Sequence, residues 1–307
     1  MSGHASGRLG LRTGPPVAWL AVFVGSLLAA ALVAPVAMSA ITAAVPDHPW
    51  GFSRIYNRTA MVAALVFMIV FRRHCGWPEL RRLLGRGPRS QRAADVGVGM
   101  AAAIVSIACC MAWAFATDRL GPTLNEYHFF STRTASTLVG GLVAAFIEES
   151  FFRGLMLASL TASLGFRAAA LASSVAYSAV HLLSSDRGFV WQGYSVGAGL
   201  AYLWHALARH LEPAAVPPLI GLFVGGLVLA IVVRVTGSLY LAIGLHAGWI
   251  LCFQVARHAT RVLVEVPGTS PLATRHFLVG TGWAWVAIAA SAALAVGWAR
   301  VAHRDLS

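Results

Sequence analysis

Residues 146–154 read FIEESFFRG. Two adjacent glutamates, Glu148 and Glu149, lie inside an apolar run covering about 134–160, with Arg153 close behind. A run of that length is enough to cross a bilayer of about 30 Å. Carboxylates are costly there, so those that occur are paired or functional. The rest of the chain decides whether the run is one span among many.

It is. Of 307 residues 58% are hydrophobic and only 11% charged, and mean hydropathy is +0.72, whereas a soluble domain averages about 25% charged. Apolar runs recur at about 17–44, 58–71, 95–117, 134–160, 166–184, 216–235, 238–256 and 277–299. The expected fold is an all-α polytopic membrane protein with about eight transmembrane helices. The first run follows Arg8 and Arg12 and contains AMSA at 37–40. It is too long for the core of a signal peptide and is expected to be a retained span. No stretch outside the runs is long enough to build a separate soluble core.

Net charge is +12, and all 23 basic residues are arginine. Seven of them crowd the loop 72–92 against one acid, Glu79. This is the bias of a cytoplasmic loop and gives no support to nucleic-acid binding. With that loop inside, eight spans place both termini inside, beside Arg8, Arg12, Arg300 and Arg304. The segment near 189–211 is the ambiguous one. Val196, Leu200, Leu203, Leu207 and Leu211 form one apolar stripe at helical spacing, and Trp191, Tyr194, Tyr202 and Trp204 suit the membrane interface. A helix lying on or dipping into the outer leaflet is expected there. The resulting organisation is helices 1–3 within 1–133, a core of helices 4–7 within 134–256, and helix 8 with a tail within 257–307. Cys75, Cys109, Cys110 and Cys252 are spaced like buried small residues and not like a disulfide framework.

The ionisable residues deep in the runs are Glu148, Glu149, Arg153, His181 and His246. Glu149 and Arg153 have the i,i+4 spacing and order of a helix ion pair. Glu148 lies about 100° around the helix from Glu149, poorly placed to share that pair. It is left as a carboxylate in a dry setting, where proton exchange moves toward neutral pH, as a general base requires. Counted from the run ends, Glu148 and His246 fall at similar depth, while His181 falls shallower on the outer side.

EESFFR (148–153), YSAVH (177–181) and RVTGSLYLAIGLHAGW (234–249) resemble, in order, three motifs of the CAAX-protease and bacteriocin-processing family of intramembrane glutamic endopeptidases, also called CPBP or Abi. The resemblance covers about 134–256. It implies that Glu148 activates water with help from His181, that His246 stabilises the oxyanion, and that Glu149 and Arg153 hold the arrangement. Tyr177 and Trp249 are candidate substrate-binding residues. The third motif usually carries an asparagine where this chain has Ile250, so one oxyanion donor is missing; Trp249 and Gln254 are candidate substitutes. Two histidines and a glutamate are also potential zinc ligands, but the HExxH arrangement is absent, and no cofactor is expected. The implied partner is a membrane-embedded or lipid-anchored peptide or protein. The arginine and alanine bias, with family habit, points to a bacterial cytoplasmic membrane. Two other classes fit the same residues: a non-catalytic binding or immunity protein, and a proton-coupled transporter.

Overall fold

The computed structural model describes residues 14–122, 132–183, 189–195, 197–263 and 280–302. Arg8, Arg12, Arg304, Asp186 and most of the loops 118–133 and 257–275 lie outside the described residues. Within them the chain is almost entirely helical: α1 Pro15–Ala44, α2 Phe52–Val70, α3 Trp77–Gly85, α4 Arg89–Ala116, α5 Thr132–Glu149, a π-helical stretch Ser150–Leu157, α6 Ala158–Leu164, α7 Phe166–Leu183, α8 Ala198–Ala208, α9 Val216–Thr236, α10 Leu239–Ala259 and α11 Gly282–Ala302. Six of these, α1, α2, α4, α9, α10 and α11, are long and apolar enough to cross a membrane. The protein is a multi-pass membrane protein. The unbroken helical path from α5 through α6, and α7, occupy the fourth and fifth runs and carry Glu148, Glu149, Arg153 and His181.

The ends of the bundle sort by contact. Arg86, Arg92, Thr236 and Arg300 line one cavity, so the arginine-rich loop, the α9–α10 turn and the end of α11 share an end. At the other end Leu120–Pro122 pairs antiparallel with Thr260–Val262, Leu120 opposite Val262. The AMSA sequence continues α1 without a break.

The most buried long helix is α10, and small residues bring it close to α4. A Cβ at Gly99 would meet the backbone of Leu241 and Leu245, one at Gly244 the backbone of Val96, and one at Gly248 Met100 and Ala103. Such close approach is how membrane helices gain packing without a hydrophobic driving force. It also ties α4, from the N-terminal third, directly to the helix that bears His246. Below the π-helical stretch, amphipathic α3 docks Leu80 against Gly154 and buries Leu80 and Leu83.

The segment near 189–211 holds a short helix. Its helix starts at Ala198 and is 11 residues long, roughly 16 Å at 1.5 Å per residue, too short to span. The apolar stripe lies mostly on the side away from the protein. Of the described stripe residues only Leu203 is buried; Leu200, Leu207 and Leu211 are exposed, and Val196 lies outside the described residues. The packed face is Gly199, Tyr202, Leu203 and Ala206, with Gly199 against the carbonyl of Ala31 in α1. In a bilayer apolar side chains are solvated by lipid, so an apolar stripe does not identify the side that packs against protein. Ahead of the helix, Trp191 stacks on Phe52 at 4.8 Å.

Candidate active site

The local sequence explains the site from α5 onward. Both glutamates close α5, and the chain then loosens into the π-helical stretch in which Phe152 through Leu157 are all buried. π-Helical turns are uncommon and recur at functional sites. Glu149 and Arg153 are fully buried, and Arg153 Nη1 donates to Glu149 Oε1 at 3.2 Å. Arg153 Nη2 donates to the carbonyl of Gly226 in α9 at 3.0 Å, and its guanidinium lies 4.6 Å over the Tyr177 ring. Nothing in the sequence signalled the Gly226 carbonyl, because a backbone acceptor has no side-chain signature.

Glu149 holds a second partner. His246 Nδ1 donates to the same Oε1 at 2.8 Å, so one buried carboxylate orients both Arg153 and the α10 histidine. The spacing of Glu149 and Arg153 foretold the ion pair but not this bond, which joins residues 97 positions apart. His246 Nε2 then faces Glu148 Oε2 at 3.8 Å and the Tyr177 hydroxyl at 3.2 Å.

Glu148 faces the other way, as its position on the helix requires. Its Oε2 lies 3.2 Å from His181 Nε2, and the two side chains are 31% and 26% exposed, against 0% and 1% for Glu149 and Arg153. The Glu148 side chain is thus partly exposed, while its Oε2 is buried with two imidazoles at hand. His181 Nδ1 donates to the carbonyl of Tyr177 at 2.8 Å, which leaves Nε2 as the nitrogen that meets Glu148.

The depth conflict over His181 disappears once the turn at Gly165 is used as the ruler. Helix α6 runs to Leu164 and α7 starts at Phe166, with Gly165 at positive φ between them. Glu148 lies 17 residues before Gly165 and His181 lies 16 after it, so the two helices carry them to the same level.

Trp249 is buried, and its indole N–H donates to Ser291 Oγ in α11 at 3.2 Å, so that donor is engaged away from the cluster. Its ring stands 6.5 Å from that of His246. Ile250 contacts α5 at Gly141. Tyr177 packs edge-on to Phe152 at 5.2 Å and places its hydroxyl within the cluster.

Glu148 Oε2, His181 Nε2 and His246 Nε2 also meet the test for a metal centre. One ligand atom from each lies within 4.8 Å of the others, and both histidines donate their remaining N–H to an oxygen, the arrangement that orients metal-bound imidazoles. The donor set fits a three-ligand zinc site with an open fourth position.

Residues 130–252 match the family model of the Type II CAAX prenyl endopeptidase Rce1-like proteins. The match spans α5 through most of α10, the part of the chain that supplies all five ionisable residues of the cluster, and it bears out the resemblance read from the motifs. No curated protein and no solved structure matches the chain.

Proposed function

We infer that the protein is an intramembrane endopeptidase that hydrolyses a peptide bond in a membrane-embedded or lipid-anchored substrate. The observation that carries this is the convergence, from three helices, of an accessible Glu148–His181 pair on a buried His246–Glu149–Arg153 support. His181 Nε2 lies 3.2 Å from Glu148 Oε2 and orients the carboxylate, whose other oxygen accepts from the nucleophilic water. Glu148 takes one proton as the water oxygen attacks the scissile carbonyl. The tetrahedral oxyanion is met by Nε2–H of His246 in its imidazolium form and by the Tyr177 hydroxyl beside it. Glu148 then passes its proton to the leaving nitrogen, the C–N bond breaks, and a carboxylic acid and an amine result. In this reading Tyr177 supplies the donor that Ile250 cannot.

The metal reading rests on the same three ligand atoms. A zinc ion held by Glu148, His181 and His246 would supply Lewis-acid activation of water. A metal there would compete with the Tyr177 hydroxyl, 3.2 Å from His246 Nε2, for that nitrogen.

Cleavage of a native substrate by purified protein in detergent tests both. Glu148→Gln keeps size and removes the acceptor, and activity is expected to fall by about 10²–10⁴ with the fold intact. Tyr177→Phe and His246→Ala are each expected to cost about 10²–10³. Full activity in Glu148→Gln refutes the glutamate mechanism. Loss of activity on chelation, restored by zinc, replaces it with the metal mechanism.

A further inference from the structure

The arginine-rich end of the bundle holds a second polar feature, apart from the glutamate–histidine cluster. A cavity of about 510 Å³ opens between the α3–α4 junction, the start of α10 and the end of α11. Arg86, Arg92 and Arg300 line it against one acid, Asp95. The lining therefore carries an excess of two positive charges. Asp95 is buried, and its Oδ2 accepts from the Ser238 hydroxyl. Glu148, His181 and His246 do not line the cavity.

The arginines are preplaced. Arg92 donates to the carbonyls of Gly85 at 2.9 Å and Gly87 at 3.0 Å, and its guanidinium sits 5.7 Å over the Tyr240 ring. Arg86 lies over Gly237, which has φ +64° and no room for a Cβ because the guanidinium fills that space. Arg300 is exposed on the last turn of α11. The first turn of α4 adds to the field. Gly87, Pro88 and Gln91 line the cavity, and α4 has neither a side-chain cap nor an acid in its first turn. A helix N-terminus carries positive partial charge, and this one lies beside the cavity.

We propose that this cavity binds the phosphate of an anionic glycerophospholipid from the leaflet on the arginine-rich side. Guanidinium groups pair bidentately with phosphate oxygens, and a helix N-terminus complements the same anion. The volume lies within the roughly 300–1,000 Å³ of small-molecule sites. Its position between membrane helices beside a polybasic loop is where an anionic headgroup is retained. Val235 in the lining and Val301 next to Arg300 are 48% and 67% exposed, an apolar slope on which acyl chains lie. Free phosphate shares the headgroup chemistry and gains nothing from that slope. The bound lipid bridges the α3–α4 junction to α10 and α11. The proposal does not depend on the peptidase chemistry.

The test is thermal unfolding of the purified full-length protein in detergent micelles, titrated with phosphatidylglycerol, phosphatidylcholine or inorganic phosphate. Phosphatidylglycerol is expected to raise Tm saturably, by at least about 3 °C, with little effect from the other two. The double variant Arg86→Gln/Arg300→Gln is expected to need at least about tenfold more phosphatidylglycerol for the same rise. Arg300→Gln alone, on an exposed turn that tolerates it, is expected to need at least about threefold more. Arg81→Gln/Arg82→Gln removes the same charge from exposed α3 positions outside the cavity and is expected to track wild type. A site variant that responds like wild type overturns the proposal. So does an equal loss in the Arg81/Arg82 control, which means diffuse attraction, or an equal rise with phosphatidylcholine. A full rise with inorganic phosphate alone assigns the cavity to a free anion and overturns the lipid assignment.

Discussion

Replacing Arg153 with methionine isolates the energetics of the buried support. The substitution keeps an unbranched chain and removes the cation. In the native protein Arg153 donates to Glu149 at 3.2 Å and to the Gly226 carbonyl at 3.0 Å, with both side chains buried. The variant leaves Glu149 with only the His246 N–H at 2.8 Å. Breaking a buried pair by removing one partner costs about 3–5 kcal/mol, and losing the guanidinium 4.6 Å over Tyr177 adds about 0.5–2 kcal/mol. Together these amount to about 4–7 kcal/mol, and at about 2–4 °C per kcal/mol for a chain of this size Tm falls by about 8–28 °C. Glu149→Gln/Arg153→Met removes both charges and is expected to recover at least about half of the loss, because neutral replacement of a buried pair is often tolerated. A thiol-reactive dye reads the transition. Cys75 is buried and its thiol is pushed up to about 11 by burial, so it reacts only on unfolding; a Cys109→Ala background removes the exposed thiol. A fall under about 2 °C in Arg153→Met, or a double variant no more stable than the single, refutes the assignment of Arg153 to a structural pair.

Three further outcomes follow from the packing and the orientation. Reporter fusions at Arg86 and Arg304 are both expected to read cytoplasmic and one at Asp186 external; an external signal at Arg304 refutes the eight-span topology. Ile250→Asn is expected to leave cleavage unchanged or raise it, and to restore most of the activity lost in Tyr177→Phe; failure of that rescue separates the two donor positions. Gly244→Val places side-chain atoms against the backbone of Val96, which cannot give way as a side chain can. Folded yield is expected to drop sharply, consistent with an overpacking cost of about 1–3 kcal/mol or more, and wild-type yield and Tm refute the close α4–α10 contact.

Composition and run length were enough to show a helical membrane protein, because the bilayer imposes one requirement on every span, apolar side chains over a fixed length. The positions of α1, α9, α10 and α11 follow the apolar runs to within a few residues. Where a helix outlasts its run the sequence misleads: α4 begins at Arg89, six residues before the run, because backbone hydrogen bonding continues into the polar interface where hydropathy falls. Helix spacing likewise foretold the Glu149–Arg153 pair and sent Glu148 to a different side, since both are consequences of 3.6 residues per turn. What joins helices was not readable. The bond from His246 to Glu149, the grip of Arg153 on the Gly226 carbonyl, the Tyr177 hydroxyl beside His246, the packed side of α8 and the cavity that gathers Arg86, Arg92 and Arg300 all depend on contacts between positions far apart in the chain. Local pattern determines which helices form and how each is facing; which of their faces meet is decided by close packing of small residues and by buried polar groups seeking partners, and only the assembled bundle satisfies both.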